Sequence, residues 1–547
     1  MNARRMLLCS LVLIVVGDVL AWGIQTGWGR IEVTDVRWTV DGGRRMSGLL
    51  YVPPGATSES PAPGVLAVHG YINSRETQSG FAIELSRRGY VVLAIDQPGH
   101  GYSDPATFQA GFGGPAGLAR LRALDMVDTA NIGLEGHSMG GWAVLIAAAA
   151  APDDYASIVI EGSSTGTSGA PDGVPGSPRN LAVVFSLYDE FSRLMWGTDV
   201  AGQVNAGEKL MTTFGTTEPV EVGRLYGSIA EGTGQILHQP PVTHPGDHLS
   251  RRAIGHAVDW FGQTLEGGDD RPVSDQVWFW KELGTLTALC GMVMLLFPLG
   301  LLLLGTPFFA TLAGAPSAPK GATGRAWWGA AALFAGIPAL TLFPFKDLGG
   351  RLPASALLPQ SITNQLLVWA VLVGLISLAL FTLWHVVSGR RAGSGPDDYG
   401  LTRGGRISLS EVGRAFLLAA LVALAAYATL AASAALFTTD FRFWVFAVKP
   451  MNAGQARVAI TILPFLVFFF SVYGMVLFGQ LRRERPPLRE ALTTVVLSTA
   501  GFVCLLAMQY TPLFLGGTLW DASEPLWTII AFQFVPLMTI VGLVTWF

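Results

Sequence analysis

A chain of 547 residues is too long for one ordinary hydrophobic core, so the sequence indicates at least two domains. Half of the residues are hydrophobic and 14% are charged, against roughly 25% charged in soluble proteins, which is typical of a membrane protein. Residues 30–266 hold 25 acidic and 15 basic residues without a basic stripe, and this acidic balance argues against nucleic acid as a partner.

The first segment, residues 1–29, is predicted to be a membrane anchor. Arg4 and Arg5 precede an apolar run over residues 6–22. No small-residue cleavage site follows this run, and Trp22 and Trp28 are typical of the membrane–water interface. We therefore interpret the segment as an uncleaved transmembrane helix rather than a signal peptide.

Residues 267–547 are predicted to form an all-α, multi-pass membrane domain. Each of seven apolar segments is near the ~20 residues that a helix needs to cross a bilayer. They are residues 283–304, 327–345, 366–387, 415–437, 459–481, 491–513 and 526–547. With the anchor they make eight spans, an even number that places both termini on the same side of the membrane.

The basic residues between these spans predict the orientation. On one side lie thirteen of them: Arg4, Arg5, Lys320, Arg325, Arg390, Arg391, Arg403, Arg406, Arg414, Arg482, Arg483, Arg485 and Arg489. The other side has five: Lys346, Arg351, Arg442, Lys449 and Arg457. By the positive-inside rule both termini lie in the cytoplasm, and residues 30–266 lie outside it.

Residues 30–266 are predicted to be an α/β domain with a mostly parallel sheet, because short apolar runs alternate with helical stretches. The predicted strands are an initial hairpin at 30–40 and 47–52, then 64–68, 90–95, 131–135, 157–161, 181–187 and 235–241. The predicted helices are 77–88, 115–128 and 139–150, with a closing helix at 253–264. Such sheets place their chemistry at the carboxyl ends of the strands.

The sequence Gly136-His137-Ser138-Met139-Gly140 stands between the predicted strand 131–135 and the Ala-rich helix 139–150. This G-x-S-x-G pattern is weak evidence as a bare string. Between a strand and a helix it predicts a tight elbow that needs both glycines and presents a nucleophilic serine in a strained conformation. Ser138 is therefore the predicted nucleophile.

With these motifs in place, residues 30–266 resemble the α/β-hydrolase family. The resemblance is carried by His69-Gly70, by residues 96–101 (DQPGHG), by the GHSMG elbow, and by a late aspartate and histidine in the family's order. It implies an oxyanion hole made by the backbone N–H groups of Met139 and Tyr71. It also implies that Asp96 has a structural role. The C-terminal membrane region resembles no family that we recognise.

The acid that orients the histidine is predicted to be Asp189, which follows the strand 181–187. Glu190 beside it is chemically able to play the same part. Alternatively, both are solvent-exposed loop carboxylates without a catalytic role.

The base must come late in the domain, where four histidines stand. His238 falls in the last predicted strand and His256 in the closing helix, which leaves His244 and His248 in the connecting loop. Related domains usually leave about eight residues between the catalytic histidine and the helix, which favours His244 over His248. His69, His100 and His137 are interpreted as loop and lining residues, and no carboxylate spacing suggests a metal site.

Two stretches after the elbow could shape the site. Residues 163–179 are rich in Gly, Ser and Pro and too short for a helical cap. Residues 191–234 contain Met195, Trp196, Leu210 and Met211, and they could wall one side of the site.

Together these features predict a membrane-integral serine hydrolase that cleaves an ester, thioester or amide through Ser138, His244 and Asp189 and needs no cofactor. Its location at the bilayer suggests a lipid, lipid-linked or cell-envelope substrate outside the cytoplasm, with membrane lipids as surroundings. One alternative is an acyltransferase with the same triad. The other is a transporter or scaffold in which residues 30–266 are accessory, although the spans hold few charges.

Overall fold

The computed structural model describes residues 2–105, 108–314 and 318–547. Between the first span and the later ones lies a domain built around one sheet, here called the sheet domain. Its strands are β1 (Glu32–Thr39), β2 (Arg45–Val52), β3 (Ala62–Val68), β4 (Val91–Asp96), β5 (Val127–His137), β6 (Ser157–Glu161), β7 (Leu181–Val184) and β8 (Gln235–His238). Its helices are α2 (Ser79–Ser86), α3 (Gly114–Arg122), α4 (Met139–Ala150), α5 (Ser192–Trp196), α6 (Glu208–Phe214) and α7 (Arg251–Thr264).

The eight strands form one sheet in the order β1-β2-β4-β3-β5-β6-β7-β8. β2 pairs antiparallel with β1 and with β4, and every later pairing is parallel. The predicted α/β class with a mostly parallel sheet is confirmed. The predicted helix at 115–128 is wrong at its end, because α3 stops at Arg122 and the pairing of Val127 with Ala62 extends β5 toward the chain's N-terminus.

Helices cover both faces of this sheet, which explains why β3 and β4 are apolar along nearly their whole length. Alternate residues of a strand point to opposite faces. Leu66 on β3 belongs to the buried cluster that includes Trp142 of α4, whereas its neighbour Val65 belongs to the cluster that includes Phe81 of α2 and Trp260 of α7. Polar side chains are therefore concentrated where the strands end.

The membrane part consists of α1 (Ala3–Gln25) and a C-terminal group of helices. These are α8 (Trp278–Leu304), α9 (Gly324–Leu340), α10 (Leu342–Gly350), α11 (Ser361–Trp384), α12 (Leu409–Phe437), α13 (Ala453–Met475), α14 (Pro487–Gly516) and α15 (Pro525–Trp546). In the described residues, seven helices are long and apolar enough to cross a membrane, and α9 with α10 forms a pair bent by 43° that gives an eighth candidate. The segment predicted at 327–345 is therefore not one straight helix.

The first helix packs closely along α8 rather than standing apart as a simple anchor. Gly17 of α1 and Gly284 of α8 lie where the two backbones nearly touch, and a Cβ on Gly17 would lie 2.5 Å from the backbone nitrogen of Ala288. Small residues allow helices in a membrane to approach this closely. The N-terminal span is thus part of the helical bundle.

A short hairpin between α12 and α13, made of β9 (Phe441–Phe443) and β10 (Phe446–Val448), reaches the sheet domain. Just after it, the Lys449 ammonium lies 2.7 Å from both carboxylate oxygens of Glu76, which is buried. The Tyr102 hydroxyl donates to the carbonyl of Pro450 at 2.9 Å. These polar contacts fix the hairpin against the loops that follow β3 and β4.

Candidate active site

Ser138 stands at the turn between β5 and α4. Its φ of +54° is a left-handed value that a residue with a side chain adopts only under constraint. The neighbouring glycines explain how the turn is held: a Cβ on Gly136 would overlap the backbone of Gly140, and a Cβ on Gly140 would overlap the carbonyl of Val68. The elbow expected from the sequence is present at the carboxyl end of a central strand.

Two other predicted residues meet at the same edge of the sheet. The Nδ1 atom of His244, in the loop after β8, lies 2.8 Å from Oδ2 of Asp189, which follows β7. The other carboxylate oxygen of Asp189 accepts the backbone N–H of Phe191 at 2.7 Å. Both side chains are buried. The structure therefore brings His244, and not His248, into contact with Asp189.

Ser138 and His244 line one cavity of about 240 Å³. No hydrogen bond joins their side chains in the described part of the chain, and catalytic hydrogen bonds are often long before substrate binds. Gly162 leaves the room that the pair needs. Its φ is +52°, and a Cβ there would lie 2.8 Å from His244 Nδ1 and 3.2 Å from Asp189 Oδ2.

Glu190, the alternative acid, contacts the backbone of His244 instead of its ring. Its Oε2 atom accepts the N–H of His244 at 2.7 Å, and its Oε1 atom accepts the hydroxyl proton of Tyr510 at 2.6 Å. Tyr510 belongs to α14. Glu190 thus connects the histidine loop with the membrane helices.

Burial shifts the pKa values of His244, Asp189 and Glu190. Burial lowers the pKa of His244 to about 4, which keeps the ring neutral and able to accept a proton. Burial also raises the pKa of Asp189, and the hydrogen bond from the Phe191 N–H acts in the opposite direction. Burial, together with the neighbouring charge of Asp189, raises the pKa of Glu190 to about 8.

The two predicted oxyanion donors also line the cavity. Met139 is the first residue of α4, so its N–H has no partner within the helix. The N–H of Tyr71 lies in the turn after β3. Neither N–H donates a hydrogen bond to any described residue, and both are free to bind an oxygen in the cavity. Their role in catalysis stays a prediction.

The other histidines hold loops or pack against one another. Nε2 of His69 accepts the N–H of Gln97 at 3.1 Å, and Nε2 of His100 accepts the N–H of Ile72 at 3.1 Å. His238 stacks on His256 with ring centres 3.8 Å apart. His248 lines the cavity, and neither of its buried ring nitrogens has a hydrogen-bond partner in the described residues.

Asp96 is buried and holds the surrounding loops together. It accepts the Ser47 hydroxyl at 2.7 Å, the Arg75 N–H at 2.9 Å and the Tyr102 N–H at 3.1 Å. Within the described ranges, no group of three or more His, Cys, Asp or Glu side chains is arranged to hold a metal ion.

The stretch 191–234 contributes one wall of the cavity through Phe191, Leu194 and Met195. Of the other residues expected there, Trp196 and Leu210 are buried in the core below the site, and Met211 packs against that core. The wall is therefore shorter than the sequence suggested.

Membrane-domain residues form the opposite wall, which sequence reasoning missed. They are Glu282 of α8, Arg442, Trp444 and Val445 of the hairpin, and Leu526, Ile529 and Gln533 of α15. The Trp444 indole N–H also donates to the carbonyl of Pro245, beside His244, at 2.6 Å. The only signal in the sequence was the basic and aromatic composition of the short loop at 438–452, and nothing in it indicates which surface the loop contacts.

A family model matches part of the sheet domain. A family model described as "alpha/beta hydrolase fold" matches residues 63–191, which include β3 to β7 and the Ser138 elbow. Residues 63–191 have the α/β-hydrolase fold. This match confirms the resemblance to the α/β-hydrolase fold, after which the sheet domain is named the hydrolase domain below, and no family model matches the membrane region.

Several solved structures are similar to part of this chain. They include a CIB-like hydrolase from Thermoplasma acidophilum (15% identity, 43% of this chain and 99% of that chain, TM-score 0.29) and a dienelactone hydrolase from Anabaena variabilis (18% identity, 43% and 100%, TM-score 0.29). A thioesterase domain from the curacin biosynthetic pathway is similar at 13% identity over 42% and 99% of the two chains, with a TM-score of 0.29. No curated protein matches this sequence.

Proposed function

We propose that this protein is a membrane-integral serine hydrolase in which Ser138 is the nucleophile, His244 the general base and Asp189 the acid that orients it. The observation that carries the proposal is the hydrogen bond between Asp189 and His244, which lines the same cavity as Ser138 at its strained elbow. Three such groups at the carboxyl ends of β5, β7 and β8 match the requirements for nucleophilic acyl transfer.

In this mechanism, Nε2 of His244 accepts the proton of the Ser138 hydroxyl as its oxygen attacks the substrate carbonyl. The oxyanion that forms is held by the N–H groups of Met139 and Tyr71. Protonated His244 gives its proton to the leaving group, and water activated by the same histidine then hydrolyses the acyl-enzyme. Asp189 fixes the tautomer with the proton on Nδ1 and stabilises the imidazolium.

The residues that line the cavity favour a substrate in which the ester, thioester or amide belongs to a lipid or to another amphiphile of the cell envelope. Trp444, Leu526 and Ile529 give one side an apolar surface, and the last two lie at the beginning of a helix long enough to span the bilayer. An acyl chain that leaves the membrane at this level would meet the cavity directly. Burial of each CH₂ group of such a chain is worth about 0.8 kcal/mol.

We also infer that the hydrolase domain lies outside the cytoplasm. Contacts within the structure support this: Lys320 binds Asp398 and the carbonyl of Gly393, and Arg403 and Arg414 both contact Thr311. The loops rich in basic residues thus contact one another. The loop between α12 and α13, which has few basic residues, contacts the hydrolase domain instead through Arg442 and Lys449.

The test is hydrolysis of p-nitrophenyl butyrate, octanoate and palmitate by the full chain in lipid nanodiscs. Ser138→Ala is expected to lower kcat by on the order of 10⁶-fold, below detection. Ser163→Ala, which changes a buried serine at the same edge of the sheet, is the matched control and should retain activity. Equal activity of Ser138→Ala and the wild type would reject the proposal.

A further inference from the structure

The catalytic-histidine loop is held by residues of the membrane domain. Tyr510, in the last two turns of α14, is 6% exposed, and its hydroxyl donates to Oε1 of Glu190 at 2.6 Å. Its ring packs against Phe514 and Phe532, with ring centres 5.8 and 5.0 Å apart. Tyr510 therefore has a fixed position at the boundary between the two domains.

Glu190 connects Tyr510 to the backbone of His244. While Oε1 is bound by Tyr510, Oε2 accepts the backbone N–H of His244 at 2.7 Å. A buried carboxyl group that loses one of two partners must find another or pay the cost of an unsatisfied polar atom. Without the Tyr510 hydroxyl, the Glu190 carboxyl would rotate or bind water, and its contact with His244 would loosen.

Pro245, the residue after His244, is bound by a different element of the membrane domain. The indole N–H of Trp444, at the turn between β9 and β10, donates to the carbonyl of Pro245 at 2.6 Å. The Trp444 ring also packs on Phe532 of α15, with ring centres 5.1 Å apart. The His244 N–H is thus bound to Glu190, which Tyr510 of α14 holds. The Pro245 carbonyl is bound to Trp444 of the hairpin.

The ring of His244 is oriented by Asp189, but its distance from Ser138 is set by the backbone that carries it. Catalytic groups need positions correct to about 0.5 Å, and an error of about 1 Å can cost on the order of a hundredfold in rate. We propose that Tyr510, acting through Glu190, is a positioning residue for His244, so that the membrane helices complete the active site. This inference rests on the proposed function of His244.

The test is a double-mutant cycle on the full chain in nanodiscs, with p-nitrophenyl butyrate as the probe. Tyr510→Phe removes the hydroxyl and keeps the ring. It is expected to lower kcat by about tenfold while KM stays within twofold, because Tyr510 does not line the cavity. In a Glu190→Ala background, where no carboxyl group is left for Tyr510 to bind, the same change should alter kcat by less than twofold.

Tyr473→Phe is the matched control, since it also removes a buried tyrosine hydroxyl, which contacts Ser498 within the membrane domain. It should leave kcat unchanged. The inference is overturned if Tyr510→Phe keeps kcat within twofold of the wild type, if the loss appears in KM, or if the two changes act additively. If Ser138→Ala remained fully active, the proposed function would fail instead, so the two failures are distinguishable.

Discussion

At the scale of single residues, Gly162 is the position where the geometry of the candidate site is most easily disturbed. An added Cβ would contact both His244 and Asp189, and φ at this residue is +52°. Gly162→Ala is therefore expected to reduce kcat for p-nitrophenyl butyrate by about a hundredfold, because the pair must separate or tilt.

The matched control for this change is Gly169→Ala. Gly169 has a φ of +86° and open space around its Cβ position, so it has the backbone strain, roughly 1–2 kcal/mol, without the collision. Comparable activity of the two alanine variants would show that the space beside His244 is not required.

The pKa of His244 predicts how activity depends on pH. A base must be neutral to accept a proton, so activity is lost as pH falls through the pKa of the histidine in the free enzyme. Burial lowers this pKa from the ordinary 6.5 to about 4. The acid limb of kcat/KM should therefore lie below pH 6, measured at the isosbestic wavelength of p-nitrophenol, and a limb centred at or above pH 6.5 would contradict it.

The residues of the site were predictable where a chemical pattern lies in a short stretch of sequence. Ser138 has an elbow motif, and Asp189 and His244 follow strands, so their places at one edge of the sheet could be expected. Trp444 and Tyr510 could not be found this way, because each reaches the site through contacts between distant parts of the chain. Nothing in a local pattern specifies how two domains dock.

At the scale of elements, the packing of α1 on α8 can be tested separately from catalysis. A side chain at Gly17 would collide with backbone atoms of Gly284 and Ala288, which cannot move without separating the helices. Gly17→Val should lower the thermal unfolding midpoint of the purified protein in detergent, since overpacking typically costs about 1–3 kcal/mol.

Gly413→Val on α12 is the control, because a Cβ at Gly413 meets nothing within 4 Å and the change in helix propensity is the same. Equal unfolding midpoints for the two valine variants would mean that α1 does not pack on α8. The apolar segments themselves were predictable from hydropathy, whereas hydropathy does not locate the bend between α9 and α10, which follows Pro338.

At the scale of the whole molecule, the orientation in the membrane decides which substrates reach Ser138. We expect a fluorophosphonate probe that cannot cross membranes to label the wild-type protein in intact cells as fully as in lysed cells. Labelling only after lysis would place the hydrolase domain in the cytoplasm and reverse the predicted topology. The Ser138→Ala variant, at matched expression, is the control for labelling elsewhere on the chain.

The proposed nucleophile, Ser138, lies in a cavity whose walls come from both the hydrolase domain and the membrane domain. Peptide mapping by mass spectrometry of the full chain after fluorophosphonate treatment identifies the residue that reacts. We expect one adduct, on the peptide that contains Ser138, and no adduct on Ser138→Ala. An adduct on another residue, or no adduct on the folded wild-type protein, would contradict this assignment.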